Sequence, residues 1–209
     1  MKEKNKKLLI TCLVIVLPML AGLMLWKLLP DQVATHFGSD NRPNRWDSKE
    51  FAVLGLPLMM LGLHLLAVFA CIYDPRRRNV SPVMVNLLYW VMPVVCNVVM
   101  LSIYGYALNM PINIGMIANL LVGGLFIALG NYLPKNQQNF TVGVRVRWTF
   151  TSEENWRRTN CLAGKMFVIC GVIFLVNAFI QSAAVLLLCL VLCMVVPAFY
   201  SLYLYKKGV

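Results

Sequence analysis

Residues 183–205 read AAVLLLCLVLCMVVPAFYSLYLY, without one Asp, Glu, Lys or Arg, and Lys206 and Lys207 follow at once. At 1.5 Å of rise per residue, a helix of about 20 residues crosses the ~30 Å hydrocarbon core of a bilayer. Working back from this run, five more lie at about 8–26, 52–73, 83–108, 112–133 and 166–181. None of the 19 basic and 8 acidic residues falls inside any of the six, as the cost of a charge at mid-bilayer requires.

The fifth run is the shortest and borrows residues from 162–165. Asn109, Met110 and Pro111 supply a turn between the third and fourth. Only Gln181 and Ser182 separate the fifth from the sixth, and there length decides, since 166–205 as one helix would be about twice a span. Lys2, Lys4, Lys6 and Lys7 precede the first run in the manner of a signal peptide. Its apolar stretch, Leu8 to Trp26, is longer than the ~7–15 residues of a signal sequence, and no small-x-small cleavage pattern follows. It reads as a retained helix.

Composition agrees. Of 209 residues, 60% are hydrophobic and 13% charged, with a mean hydropathy of +0.71, whereas a soluble domain carries about a quarter charged residues. The expected fold is an all-α, polytopic membrane helix bundle of six transmembrane helices, with no room for a second soluble domain. Seven cysteines, an odd count and mostly inside apolar runs, form no disulfide framework. Cys189 and Cys193 read as small hydrophobes on one helix face.

Basic residues set the orientation. Fifteen of the 19 lie in 1–7, 74–82, 134–165 and 206–209; the other side holds Lys27, Arg42, Arg45 and Lys49. The first side is the cytoplasm, so both termini are expected inside. The net charge of +11 is then explained by the positive-inside rule, without a nucleic-acid partner. Four segments follow: residues 1–50, the first span and an external loop; 51–133, spans two to four; 134–165, an internal loop; and 166–209, spans five and six.

The internal loop has two halves. From Phe140 to Phe150, Val142, Val144, Val146, Trp148 and Phe150 alternate with polar residues or glycine, which predicts an extended or hairpin segment. Thr151 and Glu154 have capping-box spacing. A helix from there carries Trp156, Ala163 and Phe167 on one face and Arg157, Arg158 and Lys165 around the other, suited to the headgroup layer.

No Gly-rich phosphate loop, HExxH pair or GxSxG elbow is present, so neither catalysis, a cofactor nor a metal is expected. His64, near mid-span, reads as hydrogen-bonded to a buried amide such as Asn86, Asn97 or Asn119, or as part of a polar path. His36 with Asp31, Asp40 and Asp47 matches no standard metal spacing. Trp46 reads as an interfacial anchor. Asn139, Gly143, Arg145, Arg147, Trp148, Thr149, Trp156, Arg157 and Arg158 crowd the internal loop with the residue types enriched at binding hot spots; a loop folded back on the membrane surface is the plainer alternative.

These loops resemble a known family. Gly130, Asn131, Leu133, Pro134 and Lys135, then Asn139, Gly143, Arg145, Trp148, Thr149, Ser152, Glu153, Glu154, Trp156, Thr159 and Gly164 follow the signature of the SdpI family. Upstream, Leu29, Pro30, Thr35, His36, Phe37, Pro43 and Trp46 to Lys49 resemble the module of unknown function, DUF1648, found with it. Departures are Val146-Arg147 for the family's Thr-Pro, Gln137-Gln138 for Lys-Pro, Asn160 for His, and a glycine displaced by Asp40, Asn41 and Arg42. The resemblance implies a bacterial immunity protein that protects against a secreted membrane-active peptide toxin and signals by holding a winged-helix repressor at the membrane. On that reading Asp31, His36, Arg42 and Trp46 face the toxin. Asn139, Gly143, Arg145, Trp148, Thr149, Trp156 and Arg157 brace the bundle or bind the cytoplasmic partner. Membrane lipid is the remaining partner. A small transporter or channel, with His64 and buried Asn residues on its path, is the alternative from a different class.

Overall fold

The computed structural model describes residues 2–38 and 40–209, with side chains from Asn5 onward. Lys2 and Lys4, counted among the orienting cations, thus have side chains outside the described set, and Ser39 of the external loop lies outside it altogether. Among the described residues, six helices are long and apolar enough to cross a bilayer, and the chain is a polytopic α-helical membrane protein. They are α1 (Lys2–Met24), α2 (Leu56–Ile72), α3 (Pro82–Ala107), α4 (Ile114–Tyr132), α5 (Glu153–Ile180) and α6 (Ala183–Lys206). A π turn, Phe51–Gly55, leads into α2.

The two short breaks are real and locally enforced. After α3, Asn109 adopts φ 59°, and Met110 N–H returns to Gly105 O at 3.0 Å, a left-handed C-terminal cap. Asn113 Oδ1 then accepts Met116 N–H at 2.9 Å and starts α4. Between α5 and α6, Gln181 turns left-handed at φ 56°, and the Asn177 amide holds both backbone groups of Ser182, at 3.0 and 3.2 Å.

The helix expected from the capping box runs on into the fifth run as one continuous 28-residue helix. Two sequence expectations change. Ser152, rather than Thr151, is its N-cap, its hydroxyl accepting Asn155 N–H. The alternating segment 140–150 forms no strand; bends lead into a 3-10 turn, Arg147–Phe150. The strands lie in the other loop, where β1 (Gln32–Phe37) pairs antiparallel with β2 (Pro43–Ser48).

Compact packing divides the chain into two units, Met1–Val68 with Leu88–Leu121, and Phe69–Leu87 with Val122–Val209. In the first, Ile15, Val33, Val53, Cys96, Met100 and Tyr104 form the core. Pro18 has no N–H for the carbonyl of Val14 one turn back. Asn97 Nδ2 from α3 donates to that carbonyl at 2.9 Å, and the Tyr104 hydroxyl donates to Pro18 O at 3.0 Å. A gap in the α1 ladder is thereby converted into an α1–α3 attachment.

In the second unit α4 and α5 run antiparallel in close approach. A Cβ on Gly123 would meet Gly171 O at 2.9 Å, and one on Gly130 would meet Gly164 O at 2.7 Å. The pairs are seven residues apart on each helix, which keeps them on one seam. Cys170, Cys189 and Cys193 pack around Phe174 as small hydrophobes between α5 and α6.

Candidate functional site

Two candidate surfaces emerge, one in each unit. In the first unit, the β1–β2 hairpin is seated by its apolar side, with Val33 and Ala34 buried and Phe37 meeting Tyr106 edge-on at 4.8 Å. Irregularities in the register at Thr35 and Asn44 re-aim successive side chains, as bulges do. At the tip, Asn41 takes φ 60° and its Oδ1 accepts Gly115 N–H at 2.9 Å. At the base, Lys49 Nζ donates to Leu29 O at 3.4 Å and Asp31 at 3.0 Å, and lies 5.2 Å from the Trp26 ring centre.

Asp47 organises the outer face. The Thr35 hydroxyl donates to it, and Arg45 forks onto it through Nε at 3.0 Å and a terminal N–H at 3.1 Å. The Thr35 hydrogen bond first, then the Arg45 guanidinium, hold the Asp47 carboxyl below the usual aspartate range. His36 Nδ1 lies 2.6 Å from Asn44 Oδ1. Of the residues singled out from sequence, Asp31 sits at the base, Arg42 at the tip beside Asp40 at 4.0 Å, and His36 between. Trp46 is 52% exposed. They share one stapled hairpin rather than one pocket. Thr35, Asn44, Arg45 and Asp47, which order it, were not legible as a set, because bulges decide which side chains share a face. His36 and the three aspartates each have a separate partner, and among the described residues no three His, Cys, Asp or Glu side chains group to hold a metal.

His64 is fully buried in the same unit. Its partner is the Thr11 hydroxyl, 2.9 Å from Nε2, and not one of the amides named from sequence; Asn97 is engaged at Val14 O and Pro93 O. Thr11 also donates to Leu8 O at 3.0 Å. With that proton committed, His64 Nε2 is the donor of the pair, and Nδ1 is a buried acceptor without a partner among the described residues.

In the second unit the 134–152 connection is knotted onto the 74–81 turn. Asp74, buried, accepts Phe140 N–H at 2.8 Å, the Thr141 hydroxyl at 2.6 Å and Arg76 N–H at 2.7 Å. Asn136 accepts Ser81 N–H at 2.8 Å and donates to Tyr132 O at 2.6 Å. Asn139 closes a turn on Thr141 and Val142 N–H at 2.9 and 2.6 Å. Gly143 has φ 125°, and a Cβ there would lie 2.7 Å from Asn160 Oδ1 and 2.9 Å from the Trp156 ring.

Trp156 is 1% exposed and donates through Nε1 to Asn136 O at 2.9 Å. The expected membrane-surface tryptophan is therefore the centre of the knot, with Phe150 tilted against it at 5.6 Å. Thr149, fully buried, closes its own 3-10 turn by donating to Val146 O at 2.7 Å. Trp148 donates to Ala198 O at 3.3 Å. Arg145 donates to Phe140 O but stays exposed, and Arg157 is exposed in an ion pair with Glu154 at 2.8 Å. The departures from the family signature find work here. Asn160 accepts Val144 N–H at 2.8 Å, and Gln138 bridges Arg76 at 2.9 Å and Thr149 O at 3.1 Å. Asp74, Asn136 and the buried Asn155, whose amide donates to Ser201 O at 3.0 Å, escaped the sequence reading; the one cue was Asp74 as the lone acid in an arginine-rich turn.

The signature positions are thus mostly the pins of one folded connection, and comparison with known proteins agrees with the motif. Residues 135–201 match the SdpI/YfhL protein family. Residues 13–61 match DUF1648, a domain of unknown function, so the DUF1648 match falls in the first unit and the SdpI match in the second. The chain is 29% identical over 210 residues to "Immunity protein SdpI" of Bacillus subtilis (strain 168), covering 97% of each chain. No solved structure matches it.

Proposed function

We propose that this chain is an immunity protein of the bacterial cytoplasmic membrane, protecting its cell from a secreted, membrane-active peptide toxin. The observation that carries the reading is the 29% identity to an immunity protein across 97% of both chains. The charge bias supports an N-in, C-in topology, which puts the β1–β2 hairpin outside and the knotted connection inside. The hairpin suits toxin recognition: its backbone is stapled at base, face and tip, so binding costs little ordering. Asp31, His36, Arg42 and Trp46 are the exposed groups it offers. Expression of the wild-type chain in a toxin-sensitive strain raises survival, and Trp46→Ala with Arg42→Ala lowers it at equal membrane abundance. Unchanged sensitivity to every peptide toxin of the host and its neighbours sinks the proposal.

Repressor capture at the inner face is the finer part of this reading. The burial of Asn139, Thr149 and Trp156 and the close packing at Gly143 support a bracing role for these four, with Arg145, Arg147 and Arg157 as the groups a partner would meet. Arg145→Ala with Arg147→Ala therefore tests signalling without dismantling the knot; repressor localisation unaffected by that pair removes it. The transporter or channel reading has one observation behind it, the unpartnered Nδ1 of His64, and predicts liposome flux that is lost in His64→Ala.

A further inference from the structure

The entry of α5 meets the far end of α6 at a cleft of about 320 Å³ lined by Arg157, Arg158, Cys161, Leu162, Lys165 and Tyr200. We propose that this cleft is a headgroup site for an anionic phospholipid, its phosphate held by Arg158 and Lys165.

Depth in the membrane is the first argument. α5 and α6 form an antiparallel hairpin that turns at Gln181 and Ser182. From that turn, Lys165 lies ~22 Å and Arg158 ~33 Å along α5, and Tyr200 lies ~26 Å along α6. With one bilayer surface at the turn and a hydrocarbon core of ~30 Å, these residues bracket the opposite boundary. Lys165 falls just below it and must reach up to the headgroups; Arg158 falls just above, and Tyr200 sits where interfacial aromatics collect.

Charge is the second. Glu154 accepts Arg157 Nε and a terminal N–H, both at 2.8 Å, and Arg158 Nε at 2.6 Å. Arg158 thereby commits Nε alone and keeps its terminal N–H groups for another acceptor. Lys165 has no ion-pair partner among the described residues. Three cations face one carboxylate, an imbalance that an anionic headgroup reduces. The third argument is the surface beneath. Ile169, Val172 and Val176 follow Lys165 on the same helix face and are 59%, 50% and 55% exposed, an apolar track for an acyl chain. A free phosphate ion shares the headgroup chemistry but has no use for that track.

The test is native mass spectrometry of the full chain in detergent, titrated with phosphatidylglycerol or phosphatidylcholine. Phosphatidylglycerol is expected to be retained about tenfold better, and Arg158→Gln with Lys165→Gln to remove that preference. Arg77→Gln with Arg78→Gln, which deletes the same charge elsewhere in the second unit, leaves it, and Lys165→Arg retains it and shows that the site tolerates substitution. Equal retention by the Arg158/Lys165 pair and wild type overturns the proposal, as does equal loss in the Arg77/Arg78 pair, which marks diffuse attraction. Displacement of the lipid preference by inorganic phosphate alone reassigns the cleft to a free anion and also overturns it. None of these readouts involves a toxin, so the immunity reading stands or falls separately.

Discussion

Gly143 shows how a single position of the family signature acts. Its φ of 125° is open to glycine and strained for any residue with a Cβ, and the missing atom's place is taken by Asn160 and Trp156. Gly143→Ala is expected to cost about 1–3 kcal/mol and to lower the melting temperature in detergent, whereas Gly124→Ala, which meets nothing within 4 Å, leaves it unchanged. Equal melting of the two variants would show that the knot adds nothing to stability. Trp156 carries the complementary lesson. Tryptophan beside arginine is a hot-spot composition on a surface, but the indole is inside, and composition does not report depth.

At the scale of elements, polar side chains repair what the chain's own irregularities expose. Val14 O loses its helical donor to Pro18 and gains Asn97. Asn97→Ala is expected to cost about 0.5–1.5 kcal/mol in the wild type and less in a Pro18→Ala background, where residue 18 supplies its own N–H. Additive melting shifts across that cycle would deny the repair. The hairpin is held by an ionised Asp47. Its folded pKa lies below the ordinary value of 3.8, so its contribution is complete above that value and is lost as pH falls through the lower folded one. Amide protection in β1 and β2 should therefore weaken below about pH 4, and Asp47→Asn should be weaker at pH 7 and less sensitive to acid. A wild-type hairpin indifferent to acid would mean that Val33, Ala34 and Phe37 hold it alone.

For the whole molecule, topology is the property on which the functional reading turns. An alkaline phosphatase fused after Gly38 is expected to be active, and a fluorescent protein fused after Val209 to be bright, as an external hairpin and internal C-terminus require. The reverse pattern would carry the hairpin to the inner face and remove it from any secreted peptide. Six spans and the two short breaks were legible from sequence, because hydrocarbon excludes charge along whole runs and length alone rules out a 40-residue helix. The motif was legible too, but not its role. What only the tertiary structure decided is which polar groups meet: Asp74 with Phe140 and Thr141, Trp156 with Asn136, Asp47 with Thr35 and Arg45. The first two depend on where separated segments come together and the third on bulges that decide which side chains of one hairpin share a face; a hydrogen bond between residues 66 or 67 apart, as at Asp74, leaves no periodicity in the chain that makes it.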